Sequence, residues 1–558
     1  MQRGLDEVQS HVLIRVPALV LVQAVLALAA AETGVPPAVA AIRVEATRAH
    51  NDPAGRPLPL SAHWHRLTCP LDWQIELIRQ GRHMLPWLPT PLPEGTGDQA
   101  LKGNEAGLKQ LREWRMPFAL VTGGQWEAVL YDQTKRWRSL PSEQSPLVWL
   151  VEPVGDKQTG KQVSPFGAVA PWGEAGRYWM DSPGMHKIEE VYPDPPLVLI
   201  ISNNEASTLR WHNVEQDKRY LEKYGKDKED EFKRRVVGDG WIERYGALLK
   251  GMREGLGNEA WKKNTLFVAY NAMGPNHMGR PDFGTEGGWK KYSTTTEDRI
   301  TWHWFAWQGA IPEYYDNHWQ PNKAVYNVWS CQVEMMNLVF MKREACQVNP
   351  DFWFEVIFWD GNLPDKDNDR YKTYTELGFP PSPQRYKGWV QYGMWLLTPR
   401  VAREWRSSAD KRERWWEYFK VIIEAVDQVH ANPVLTRFWR QGELVPDRAH
   451  PHPFSTAIPG KWKNVDRWFH LATSVDPPRP WELTTRMPVF TLARVIGEKP
   501  QREWLVYAHA PMGDRKGVQI TIPDYGPINV DVSLGGNFYL VKEAGGTPAP
   551  QSVTAVGQ

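Results

Sequence analysis

Two isolated glutamates are the residues in this sequence best suited to chemistry, because each belongs to a strongly apolar stretch. The aliphatic run 197–201 leads into Asn204 and Glu205, and Glu355 is the single acid in the aromatic stretch 352–359. A carboxylate buried in such surroundings needs a partner or a function. The two glutamates therefore predict a pair of carboxyl groups that the fold brings together. Two carboxyl groups flanking one bond are the machinery of glycoside hydrolysis.

The surroundings of the two glutamates predict different roles for them. The apolar strand before Glu205 is expected to raise the pKa of its carboxyl, which suits a general acid/base, and Asn204 would hydrogen-bond a sugar hydroxyl. Glu355 is expected to be the nucleophile, held ionised by neighbours such as Tyr314, Tyr315 or a nearby Arg or His. Alternatively, either glutamate could be a buried structural acid that pairs with an arginine.

Short apolar runs alternate with amphipathic helical stretches from about residue 55 onwards, which predicts repeated βα units. The helical stretches include Lys323–Cys346 and Val401–Arg406. The pattern favours an α/β fold in which residues 55–470 form a (β/α)8 TIM barrel. Its eight strands are predicted at Leu58–Trp64, His83–Leu88, Phe118–Thr122, Leu197–Ser202, Thr265–Asn271, Trp307–Ile311, Phe352–Phe358 and Val390–Thr398.

Polar and aromatic side chains lie at or just after the ends of most of these strands. In such barrels the active site is built at the carboxyl ends of the strands, so these side chains are expected to converge on one mouth. The aromatic ones suit stacking on sugar rings, although any of them could equally be core. The predicted substrate-binding residues are Asn204, His63, Trp64, His65, Trp126, Glu127, Asn271, Tyr314, Tyr315, Trp359 and Trp395.

The two ends of the chain differ in character from the barrel. Residues 489–541 read as short alternating strands separated by turns, which predicts a small antiparallel β-sandwich domain, and residues 542–558 read as a flexible tail. At the other end, residues 1–31 combine early arginines, an apolar stretch and a run of alanines. That segment predicts a signal peptide or an anchor, and hence a secreted or periplasmic protein with no stable membrane insertion after processing.

Composition narrows the function classes. Lys+Arg 66 against Asp+Glu 65 leaves a formal charge of +1, which gives no electrostatic field for holding nucleic acid or an anionic membrane. The 30 tryptophans suit a carbohydrate partner, with about two-thirds of them expected to fill the core. The three cysteines form neither a disulfide framework nor a metal-binding spacing, and the predicted chemistry needs no cofactor.

With Asn204-Glu205 closing the fourth predicted strand and a lone Glu355 on the seventh, the chain resembles the clan A retaining glycoside hydrolases over roughly residues 55–470. The resemblance implies a (β/α)8 barrel and double displacement at a β-linked oligo- or polysaccharide. It implies Glu205 as acid/base and Glu355 as nucleophile. It further implies Tyr314 or Tyr315 as the residue that orients the nucleophile, and Trp395 on strand eight as the aromatic under the reacting sugar.

Two other functions fit parts of the sequence. His63 and His65, two residues apart on the first strand, could be metal ligands of an amidohydrolase-type barrel, with His277 and His318 to complete the site. The predicted eighth strand lacks the aspartate that such a site needs, so these histidines are predicted instead to contact sugar or to be hydrogen-bonded residues of the site. A non-catalytic carbohydrate-binding protein is the third possibility, and the presence of both acids argues against it.

Overall fold

The computed structural model describes a large part of the chain, including most of the elements predicted above. The described residues are 34–48, 60–63, 70–121, 136–203, 209, 211–270, 306–311, 313–315, 339, 342, 345–347, 349–359, 372, 375–376, 380–404, 412–445, 471–476, 489–543 and 551–553. The predicted segment 1–31 lies outside them. No helix in the described part of the chain is long and apolar enough to cross a membrane.

The described strands and helices alternate along most of the chain. In chain order the strands are β1 (Leu60–His63), β2 (Trp87–Pro89), β3 (Phe118–Val121), β4 (Leu147–Val154), β5 (Lys157–Val163), β6 (Val198–Asn203), β7 (Thr265–Tyr270), β8 (Gly309–Ile311), β9 (Glu313–Tyr315), β10 (Trp353–Trp359), β11 (Val401–Glu404), β12 (Glu443–Val445), β13 (Ala472–Thr473), β14 (Phe490–Ile496), β15 (Glu503–His509), β16 (Arg515–Ile522), β17 (Gly526–Val532), β18 (Asn537–Lys542) and β19 (Gln551–Ser552). The described α-helices with defined ends are α1 (Pro37–Thr47), α2 (Leu71–Arg79), α3 (Gly97–Ala100), α4 (Glu105–Glu113), α5 (Ala170–Met180), α6 (Pro183–Val191), α7 (Lys218–Tyr224), α8 (Asp230–Gly255), α9 (Glu259–Asn264), α10 (Pro383–Leu397), α11 (Arg412–Ala431) and α12 (Pro433–Gln441).

One large parallel sheet organises the molecule. Its strands follow the order β1-β11-β10-β8-β7-β6-β3-β2, and β9 also pairs with β10. Gly309 of β8 pairs with Trp353 of β10, and Glu313 of β9 pairs with Ile357 in the same register. Since β8 and β9 keep one register against β10, they act as two halves of a single strand. The large sheet therefore has eight strand positions, of which β6 is the fourth and β10 the seventh along the chain.

The predicted closed barrel is confirmed only in part. The sheet is a curled parallel sheet of a TIM-like α/β fold, but among the described residues no pairing joins β1 to β2, so it is a half-barrel. The buried side chain of Gln74 on α2 lies at the edge of β2 instead. Its Nε2 donates to the Trp87 carbonyl at 3.0 Å, and its Oε1 accepts from the Trp87 N–H at 2.8 Å. The side-chain amide thus satisfies backbone groups that a neighbouring strand would otherwise pair.

The predicted eighth strand is wrong. Val390–Thr398 belongs to helix α10 and its C-cap, and the eighth strand is β11, a segment that was predicted to be helical. Helix α10 begins after Ser382, whose hydroxyl accepts from the Arg385 N–H at 3.2 Å. The helix is buried on nearly every side, so it has no polar face to reveal its period. A buried helix and a buried strand are hard to distinguish by periodicity alone.

Separate antiparallel sheets follow the large sheet, as predicted. One has the order β12-β14-β15-β18-β19 and the other β13-β16-β17. Side chains of β15 alternate between two cores: Trp504 and Val506 pack with the three-stranded sheet, whereas Leu505 and Tyr507 join the main core. The five-stranded sheet is therefore sandwiched between the smaller sheet and the main core. Within the predicted tail, Gln551–Ser552 pair with β18.

His509, at the end of β15, is a fully buried histidine where this sheet meets α10. Its ring stacks on Phe490 with centroids 5.4 Å apart. In the described part of the chain neither ring nitrogen has a hydrogen-bond partner. Burial, with a smaller contribution from the charge of Arg385, lowers the pKa of His509 to about 3. The folded protein therefore keeps this imidazole neutral at pH values where an unfolded chain would protonate it.

We expect the His509→Gln variant to be less sensitive to acid than the wild type. Between pH 6.5 and about 3 only the unfolded wild-type chain gains a proton at His509, so the free energy of unfolding falls as pH falls. The slope is about 1.4 kcal/mol per pH unit across that window. Urea unfolding of both proteins from pH 7 to pH 4 measures it. A stability difference that stays constant with pH would contradict the expectation.

Candidate functional site

The predicted acid/base motif lies directly beyond a described strand. Asn203 is the last residue of β6, the fourth strand position, so Asn204 and Glu205 are the next two residues of the chain. Both lie outside the described residues. The predicted site residues Trp64, His65, Trp126, Glu127 and Asn271 also lie outside them.

The large sheet has one face covered by helices. Phe118 stacks on Tyr192, the residue after α6, at 5.6 Å, and Arg253 of α8 lies 5.1 Å from the ring centroid of Phe267. Because side chains alternate along a strand, the neighbouring residues face the other way. That opposite face, here called the inner face, carries in register Ile201, Val268, Gly309 and Trp353. Glu355, two residues after Trp353, belongs to the inner face too.

Glu355 is a fully buried carboxylate with specific partners. Trp353 Nε1 donates to its Oε1 at 2.7 Å, and Arg403 Nε donates to its Oε2 at 2.8 Å. Arg403 lies on β11, and the exposed fraction of both charged side chains is 0%. Hydrogen bonds between such charged groups are stronger than neutral ones, so the carboxylate is held in one orientation. Glu355 therefore has the geometry of the alternative stated above, in which a buried structural acid pairs with an arginine.

Burial raises the pKa of Glu355, while the charge of Arg403 and the hydrogen bonds from Trp353 and Arg403 act in the opposite direction. A raised pKa favours the protonated form, whereas a nucleophile must be ionised. Glu355 also lies four residues before Trp359, the end of β10, which is on the order of 13 Å along a strand. Its assignment as nucleophile stays a prediction.

Side chains pack closely on the amino-terminal side of Glu355. The Arg400 guanidinium lies 5.0 Å from the ring centroid of Trp353 and donates to the carbonyl of Arg48, just after α1. Burial lowers the pKa of Arg400 to about 10. Gly309 is required beside Trp353, because a Cβ there would lie 2.4 Å from the Trp353 carbonyl oxygen. Arg400, Trp353 and Gly309 thus pack closely together near the amino-terminal end of β10.

At the carboxyl ends of the strands the register brings several predicted residues together. His63 pairs with Glu404, Glu404 with Phe358, and Phe358 with Tyr314. Tyr315 pairs with Trp359 at the next position. The backbones of four predicted site residues, His63, Tyr314, Tyr315 and Trp359, therefore meet at one edge of the sheet, although their side chains lie outside the described part.

The sequence did not identify Arg403 and Glu404. Both are fully buried on β11, and both were assigned to a predicted helix. The useful signal was local: Ser382 followed by Pro383 is an N-cap with proline at the first helical position, which predicts that a helix begins there. Trp395, predicted under the reacting sugar on strand eight, is instead buried in α10 against Trp439 and Phe538, at 5.1 and 5.3 Å. The role of Trp395 was predicted from a position on strand eight, and Trp395 does not lie on that strand.

The metal alternative concerns residues that are largely undescribed. Within the described ranges no group of three or more His, Cys, Asp or Glu side chains could hold a metal ion. His63 has only its backbone described, and His65, His277 and His318 lie outside the described residues.

Comparison with known proteins identifies no family for this chain. No protein-family model matches the sequence, and no curated protein matches it significantly. The function must therefore be argued from the residues and their positions.

Proposed function

We propose that this protein is a glycoside hydrolase that cleaves β-linked saccharides by double displacement, with Glu205 as acid/base and Glu355 as nucleophile. The observation that carries the proposal is the order of the strands to which the two glutamates are attached or adjacent in sequence. Asn203 ends the fourth strand position, immediately before Asn204 and Glu205, and Glu355 lies on the seventh. In TIM-like folds catalytic residues come from the ends of several strands around one mouth.

The register supports bringing the two segments together across the inner face. Asn203 pairs with Tyr270, which pairs with Ile311, the residue after Ala310, whose partner on β10 is Phe354. Continuing this register gives Glu355 as the next position in the same row. Glu205 follows that row by two residues of chain. Glu355 thus lies in the row that Asn203 begins, and Glu205 follows Asn203 in the sequence.

The hydrogen-bond partners of Glu355 suit a nucleophile, whereas its burial does not. The Arg403 guanidinium favours the carboxylate form and fixes Oε2, which preorganises the group for attack. Burial opposes ionisation, so the balance depends on Arg403. In the proposed reaction Glu205 protonates the glycosidic oxygen while Glu355 attacks the anomeric carbon, and Glu205 then activates the water that releases the sugar.

The proposal is tested by incubating the protein with a panel of aryl β-glycosides and following the first product by proton NMR. Double displacement gives a first product with the β configuration retained. An inverted product would contradict the double displacement, and no hydrolysis of any member of the panel would contradict the glycosidase itself. Activity should persist in EDTA. A loss in EDTA that zinc reverses would favour the metal-dependent hydrolase in which His63 and His65 are ligands.

A further inference from the structure

Three arginines come together where the end of α1 meets α12 and the start of β11. Glu45 of α1 is buried, and Arg440 of α12 donates from Nη2 to its Oε1. The Nε of Arg48, the residue after α1, lies 3.6 Å from Glu45 Oε2. Arg400, the residue before β11, donates from Nη1 to the Arg48 carbonyl. These contacts join Glu45, Arg48, Arg400 and Arg440 in one group, here called the arginine cluster.

Arg400 is the most buried cation of the arginine cluster, with 4% of the residue exposed. Burial lowers its pKa to about 10, and the charges of Asp351, Cys346 and Glu45 act in the opposite direction. In the described part of the chain no carboxylate lies within ion-pair distance of its guanidinium. A buried charge without an opposite charge in contact is costly, so this guanidinium favours an anion beside it.

One edge of the Arg400 guanidinium carries donors that the described residues do not use. Nη1 donates to the Arg48 carbonyl, and the ring centroid of Trp353 lies 5.0 Å from the guanidinium carbon. The buried Nε has no hydrogen-bond partner within the described ranges. Nε and Nη2 form the edge with which arginine binds two oxygens of one oxyanion. Because buried donors are normally satisfied, this edge indicates a ligand.

Glu45 does not supply that ligand. Its two oxygens face Arg440 and Arg48, so the single carboxylate of the cluster is shared by two other guanidinium groups. Three guanidinium groups against one carboxylate leave the arginine cluster positively charged. The Nε of Arg440 also has no hydrogen-bond partner among the residues that the structure describes.

The arginine cluster reaches the protein surface, so a small ion can enter it. The side chains of Arg48 and Arg440 are 18% and 24% exposed. Both flank Glu45, whose charge acts on Arg400. Planar guanidinium groups match the geometry of phosphate and sulfate oxygens, which suits the cluster to an oxyanion.

We propose that the arginine cluster binds a phosphate or sulfate group, with two of its oxygens on the Nε edge of Arg400 and the positive charge of Arg440 beside it. The ligand is the inorganic ion or the charged group of a small molecule. The site lies before the start of β11, at the amino-terminal end of that strand, so this inference does not depend on the proposed function.

The test is calorimetric titration of the full chain in a buffer that contains neither anion. The probes are sodium phosphate, sodium sulfate and glycerol 3-phosphate, with sodium chloride at matched ionic strength as the baseline. We expect saturable binding of one phosphate or sulfate per chain and an unfolding midpoint that rises with its concentration. Glycerol 3-phosphate binding more tightly than phosphate would identify the group as part of a larger molecule, and weaker binding would identify the inorganic ion.

Arg400→Gln should weaken this binding at least tenfold, because it removes the positive charge and the paired donors together. Arg440→Gln, a change at a partly exposed side chain, should weaken it about fivefold and decides the matter if Arg400→Gln fails to fold. Arg177→Gln is the matched control, since it removes an exposed guanidinium paired with Glu254 and should leave the affinity unchanged.

Three results would overturn the oxyanion site. One is the absence of saturable binding of all three probes, and another is an equal response to sodium chloride. The third is an affinity that stays at the wild-type value in folded Arg400→Gln or, where that variant does not fold, in Arg440→Gln.

Discussion

Replacing Glu205 with glutamine is expected to lower kcat/KM for a β-glycoside with a poor leaving group by about 10²–10⁴-fold, because the amide cannot deliver a proton to the glycosidic oxygen. The size of the effect should depend on the leaving group. A dinitrophenolate departs without protonation, so the first step with a dinitrophenyl glycoside should be nearly unaffected. Burst kinetics with dinitrophenyl and methyl glycosides separate that step from the later attack of water.

Glu222→Gln is the matched control for this variant. Glu222 lies on α7, a short way along the chain from Glu205, and its side chain is 58% exposed. The same chemical change there should leave both substrates unaffected. An equal loss for every leaving group in Glu205→Gln would contradict proton donation by Glu205, and unchanged activity would remove Glu205 from the mechanism.

Replacing Glu355 with alanine is expected to lower the free energy of unfolding by about 3–5 kcal/mol, because it takes from the buried Arg403 the carboxylate that it faces. The double variant Glu355→Leu/Arg403→Met should recover most of this loss, since apolar side chains can replace a buried ion pair at little net change in stability. Urea unfolding of the wild type, both single variants and the double variant measures the coupling between the two residues.

An exposed ion pair gives the control for this cycle. Arg177 and Glu254 are paired on the surface, with about half of each side chain exposed, and Glu254→Ala should change the unfolding midpoint little. Equal effects of Glu254→Ala and Glu355→Ala would contradict a strongly coupled buried pair.

The same Glu355→Ala variant also tests the nucleophile. If the protein stays folded, azide should restore turnover of an activated glycoside, with a product of inverted configuration. A folded variant that azide does not rescue, or that keeps full activity, would leave Glu355 with the structural role of holding β10 against β11.

Much of the fold follows from sequence because the strands of a parallel sheet are apolar and short. Strands β6, β7 and β10 lie within a residue of the predicted bounds, and buried and exposed side chains alternate as expected in β16 and β17. The eighth strand failed because α10 is buried on nearly all sides and mimics an apolar strand. Its true position, β11, is four residues long and carries two charges.

The candidate site was predictable only where the neighbours of a residue in the sequence indicate how it is buried. Glu355 stood out because a lone acid in an aromatic strand must have a partner, and the structure supplies one in Arg403. That partner could not be named, since it lies on the misassigned strand.

The side chain of Gln74 has a consequence for how this molecule behaves among its neighbours. An unpaired strand edge is a template on which another chain can add a strand. Trp87 at the edge of β2 would offer such a template, but the Gln74 amide already occupies its N–H and carbonyl. At Trp87 the glutamine therefore takes the place that a strand of another molecule would need.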